Sequence, residues 1–119
     1  MNSYSNYTDE QINHLVANRI MGWTISDVED DWGLRWITDG DGNHIMDERL
    51  WNPCKDMNQA WEAWRYHKKQ YPDDTISINN IAGDEAIVIE IDGDNYACVK
   101  YEPFARALCE VLLQAEEEK

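Results

Sequence analysis

No apolar run in this chain of 119 residues approaches the ~20 residues that a membrane-spanning helix needs. The opening stretch, MNSYSNYTDE, has neither the basic nor the apolar segment of a secretory leader, so none is expected. Cysteine is sparse: Cys54, Cys98 and Cys109 form no Cys-x-x-Cys pair, and their odd number leaves one unpaired. A reducing, cytoplasmic setting is expected, without a disulfide framework. Positive charge is also short, with 10 Lys and Arg against 24 Asp and Glu and a formal charge of −14. Direct nucleic-acid binding is disfavoured, because phosphates are repelled and few cations can release counterions. Anionic membrane surfaces are disfavoured for the same reason. A basic protein partner is favoured, since the summed field steers it in. Phenylalanine occurs once, yet tryptophan occurs six times.

The length suits one domain over residues 1–119, with 1–7 and 115–119 read as frayed ends. Thr8-Asp9-Glu10-Gln11 matches a capping box, with Ile12, Leu15, Val16 and Ile20 following at helical spacing and Gly22 as a stop. Trp23-Thr24-Ile25 opens a short extended stretch, and the acidic residues 27–31 break it as a loop. Leu34-Arg35-Trp36-Ile37 and His44-Ile45-Met46 read as two short strands. Asp56 can cap a second helix with the apolar stripe Met57, Ala60, Trp61 and Trp64. Arg65, Lys68 and Lys69 complement the negative end of that helix, and Tyr71-Pro72-Asp73-Asp74 terminates it. Residues 75–81, 86–91 and 96–101 read as a meander, its second turn at Asp92-Gly93-Asp94-Asn95. A last helix opens at Pro103, with Ala105, Leu108, Cys109 and Leu112 on one face and Glu116, Glu117, Glu118 and Lys119 as a solvated tail. The expected fold is α+β in the order α-β-β-α-β-β-β-α.

Residues 36–48, WITDGDGNHIMDE, invite a chemical role. In an EF-hand register Gly42 takes position 6, Asp39 and Asp41 take 3 and 5, and Glu48 takes 12. Position 1 is then Ile37, which offers no side-chain oxygen. A phosphate cradle lacks a lysine here, and the aspartates repel the anion. A hairpin turn is the better reading, because Asp-Gly and Gly-Asn tolerate positive φ. His14, His44 and His67 share no ligand spacing with a cysteine, so neither a metal nor a cofactor is expected. Cys98 and Cys109 read as core residues and Cys54 as the most exposed cysteine. Carboxylates are too numerous to single out an acid–base pair, and no catalytic set is expected.

Trp61 and Trp64 read as core. Trp23, Trp32, Trp36 and Trp51 lie in short strands or loops that can hardly bury four indoles. Asp27-Val28-Glu29-Asp30-Asp31-Trp32 is therefore the sharpest candidate for a partner-binding patch, an aromatic ringed by acids. Asp39, Asp41, Asp47 and Glu48 add charge to it. The same run also reads as a plain solvated loop.

Ile20-Met21-Gly22-Trp23, together with Trp51-Asn52-Pro53-Cys54-Lys55-Asp56 running into Ala60-Trp61-Glu62, resembles the phage ABA-sandwich domain family. Glu102-Pro103-Phe104-Ala105-Arg106-Ala107-Leu108 is similar to that family's last-helix entry. The likeness spans residues 12–113, with Cys54 standing where a serine is usual and a poorer Ala/Thr content before Pro103. It implies an antiparallel β-sheet sandwiched between α-helices and a phage origin, with no catalytic residues to carry over. Taken with the charge, it implies an acidic, non-enzymatic protein of the infected host's cytoplasm. Such a protein would occupy the basic surface of a nucleic-acid-binding defence factor, as an anti-CRISPR or similar inhibitor. The alternative is a small-ligand binder that sequesters a signalling nucleotide.

Overall fold

The computed structural model describes residues 4, 6–81, 84–91, 94–100 and 104–117, with 77–100 described by backbone and register only. The capping box forms as the residues dictate. The Gln11 amide donates to Thr8 Oγ1 at 3.1 Å, and the Thr8 amide donates to Gln11 Oε1 at 2.8 Å. They start α1 (Asp9–Leu15), which widens into a π-helical turn over Val16–Ile20. Gly22, at φ +72°, provides the left-handed residue that ends it, and the Trp23 amide returns to the Ala17 carbonyl at 2.9 Å.

The extended stretch after Gly22 becomes a strand of its own. β1 (Thr24–Ile25), β2 (Trp36–Thr38) and β3 (His44–Asp47) form an antiparallel sheet with β2 at its centre. The order is thus α-β-β-β-α-β-β-β-α, one strand more than expected. Thr24 pairs with Thr38 and Ile25 with Ile37, which shifts β2 later than residues 34–37. A 3₁₀ turn (Glu48–Leu50), capped by Asp47, leads towards α2 (Met57–Gln70).

Asp56 caps α2 by accepting from the Asn58 and Gln59 amides at 2.9 and 3.2 Å. Its buried residues are Ala60, Ala63 and His67. The stripe is therefore rotated from the expected one, leaving Met57, Trp61 and Trp64 half-buried against the core. The meander follows as β4 (Thr75–Ile81), β5 (Asp84–Ile91) and β6 (Asp94–Lys100). Its register sets Ile76 against Ile89, and Ile78 and Val99 against Ile87. The expected turn overlaps β6 at Asp94 and Asn95, while Asp92, Gly93 and Pro103 lie outside the described residues.

β5 and β6 pack on α3 (Phe104–Glu117), which also packs on α1, the π-helical turn and α2. This position explains why α3 is buried almost all round rather than on one face. Leu108, Cys109, Val111, Leu112 and Leu113 are fully inaccessible. Arg106, Glu110 and Gln114 recur every fourth residue, and Glu110 and Gln114 are buried with the apolar side chains. Arg106 clamps the N-terminal segment, donating to the Tyr4 and Tyr7 carbonyls at 3.1 and 2.6 Å and pairing with Asp9 at 2.7 Å. Tyr4, within the stretch read as a frayed end, is accordingly buried. The class is α+β with an antiparallel sheet, and no helix among the described residues is long and apolar enough to cross a membrane.

Candidate functional site

The acidic loop between β1 and β2 is built around one carboxylate. Asp30 Oδ1 accepts from the Trp32 and Leu34 amides at 2.8 and 3.0 Å, and Oδ2 accepts from the Trp36 indole at 2.9 Å. The Trp36 indole first, then the Leu34 and Trp32 amides, hold the Asp30 carboxyl below its usual range. With its centre used this way, the loop turns its other side chains outward. Trp32 is 86% exposed and Val28 73%, and Asp27, Glu29 and Asp31 are exposed beside them. Charge and aromatic surface stand together here on an internally hydrogen-bonded loop.

The remaining predicted acids divide. Asp39 holds the β2–β3 turn, accepting from the Asp41 and Asn43 amides at 2.9 and 3.0 Å, with Gly42 at φ +87°. Those amides, Asn43 first, keep its carboxyl below the usual value. No metal ligation is needed to explain this turn, and Asp41 remains exposed. Asp47 pairs with Arg49 at 2.7 Å, which depresses its pKa, and it is close enough to Asp30 to feel that charge. Glu48 meets α1 instead, its carboxylate 3.4 Å from His14 Nε2. Glu10 completes a group whose ligand-type atoms lie within 4.8 Å of one another. In the sequence this cluster shows one local signal, the i, i+4 spacing of Glu10 and His14 on a helix.

Three more polar residues, Asn13, Asn52 and Gln59, form a network that no local pattern in the sequence signals. Asn13 is buried, with its side chain donating to Asn52 at 2.9 Å and accepting from the Cys54 amide at 3.1 Å. Its carbonyl accepts from the Trp51 indole at 2.9 Å. Gln59 reaches back to the Asn52 amide at 2.6 Å and the Leu50 carbonyl at 2.7 Å. The Trp51-Asn52-Pro53-Cys54 segment is thus docked on α1, and Cys54 is buried, contrary to the expectation of exposure. Its thiol meets that of Cys109; this contact and burial push the Cys109 thiol well above its ordinary value.

His67, in the last turn of α2, is completely buried. Its Nε2 lies 2.7 Å from Asp74 and its Nδ1 3.3 Å from Glu116, which ties α2 to the following loop and to α3. Glu116 is therefore half-buried and not merely part of a solvated tail. It also lines an open cavity of about 460 Å³ with Arg19 and Glu117. Tyr4 donates to Glu117 and accepts from Arg19 at 2.9 Å; burial first, then Glu117, pushes its pKa up to about 12.

The chain resembles a crystal structure of a phage protein from Bacillus cereus ATCC 14579. The TM-score is 0.62 at 16% identity, covering 93% of this chain and 94% of that one. At that identity the likeness shows a shared fold. No protein-family model and no curated protein matches the chain, so the ABA-sandwich resemblance rests on the motifs above.

Proposed function

We propose that this chain is a phage-encoded, non-enzymatic binding protein that docks its acidic, tryptophan-bearing loop on a basic host surface. The observation that carries this reading is Trp32, 86% exposed on a loop organised from within by Asp30. An aromatic carried on a pre-organised loop costs little backbone freedom on binding, and such side chains dominate interface energies. Asp27, Glu29 and Asp31 supply steering and partner selection around it. The host partner is a nucleic-acid-binding defence factor whose basic groove this surface occupies, as in an anti-CRISPR or similar inhibitor. The phage origin of the protein sharing its fold supports the setting, the cytoplasm of an infected cell.

Sequestration of a nucleotide is the weaker reading. The cavity at Arg19 offers two carboxylates against one guanidinium, and Arg19 is already engaged by Tyr4 and Glu117.

Expression of the chain in cells with active nucleic-acid-guided immunity should restore phage plaquing. Trp32→Ala, and the triple reversal Asp27→Lys, Glu29→Lys, Asp31→Lys, should abolish restoration while leaving thermal unfolding nearly unchanged. Asp30 is left intact because it organises the loop. Full restoration by the triple variant, or none by the wild type across such systems, would sink the proposal.

A further inference from the structure

Glu10 and His14 share one face of α1, four residues apart. The 3₁₀ turn brings Glu48 against that face, and the Trp51 indole bonded to the Asn13 carbonyl holds the two segments together. His14 Nε2 and Glu48 Oε2 stand 3.4 Å apart. Two ligands bound at ~2.1 Å in tetrahedral geometry are separated by ~3.4 Å. Glu48 Oε2 is also shut off from solvent and accepts no hydrogen bond, the His14 ring nitrogen at 3.4 Å being its ion-pair contact. A buried carboxylate oxygen in that state is costly, and a coordinated cation offsets the cost.

We propose that Glu10, His14 and Glu48 form a binding site for a zinc-type divalent ion. His14 Nε2 and one oxygen of each carboxylate are the ligands, and a fourth position remains for water. The imidazole favours zinc, copper or nickel over magnesium or calcium, which prefer oxygen alone. Glu10 is exposed, so its side chain is the arm that swings in to complete the set. The site is independent of the Trp32 loop, and neither proposal depends on the other.

The test is calorimetric titration of the chelator-stripped full chain with zinc chloride alone. One ion per chain is expected to bind, and copper(II) should quench tryptophan fluorescence, because Trp51 adjoins the site and packs edge-on against Trp23 at 4.9 Å. His14→Ala and Glu48→Gln should each weaken zinc binding by about tenfold or more. Zinc a hundredfold above the wild-type Kd should raise the wild-type Tm by roughly 10 °C and that of His14→Ala by about half as much or less. Circular dichroism verifies folding, and His14→Gln is the second variant should His14→Ala unfold. The double variant Asp39→Asn, Asp41→Asn and the single variant Cys54→Ser should bind as wild type does. No binding by the wild type, unchanged binding in both His14 variants, or loss only with Cys54→Ser would overturn the assignment.

Discussion

Between Gly22 and Leu50 a single side chain, that of Ile37, is buried, whereas α3 alone buries ten of its fourteen residues. The two regions are held by different forces. In α3 the energy comes from apolar surface removed from water on nearly every side, which leaves little of the helix to present to a partner. In the 23–50 segment, carboxylates gather nearby amides: Asp30 in the loop, Asp39 in the hairpin and Asp47 at the 3₁₀ turn. Organisation by short polar contacts keeps side chains outside. Order and exposure are therefore compatible there, as a recognition surface requires.

The contrast breaks if truncation costs the same in both regions. Leu112→Ala, in the centre of α3, is expected to lower stability by about 3 kcal/mol in urea unfolding. Leu50→Ala, at a position 65% exposed, should stay within ~0.5 kcal/mol. His67→Ala should cost about 2–3 kcal/mol by the same measurement, because Asp74 and Glu116 lose a buried partner. Thr8→Ala removes the capping box and should cost about 1 kcal/mol, read as a lower Tm.

Acid sharpens the comparison locally. Asp30, Asp39 and Asp47 have carboxyls held below their ordinary value of 3.8. Their contribution to folding is present above that value and is lost as pH falls through their depressed folded values. The Trp36 indole N–H resonance should therefore shift towards its free position on acidification before the far-UV helical signal falls. Loss of the helical signal first would reverse the ranking. The smallest effect belongs to Trp32→Ala, within ~0.5 kcal/mol of wild-type stability.

Much of the fold was legible because its signals are local. The Thr8–Gln11 box, the Asp56 cap, the Asp-Gly hairpin and the strand alternation each depend on residues a few positions apart. The acidic loop and its exposed tryptophan were legible too, since a run of charge cannot be buried cheaply. The burial of Cys54 and of His67 was not legible, because each depends on at least one partner distant in sequence. Cys54 lies between Asn13, Asp9 and Cys109, and His67 between Asp74 and Glu116. Glu48 looked like one more surface acid until the chain placed it beside His14.

The sequence by itself determined where the helices begin, the class of fold and the sign of the surface. Those properties follow from backbone chemistry and net charge, which need no long-range partner. Only the tertiary structure decided which polar groups go inside and which carboxylate meets which imidazole. A buried polar side chain is tolerated when the fold delivers its hydrogen-bond partner, and that delivery is made by packing across the whole chain.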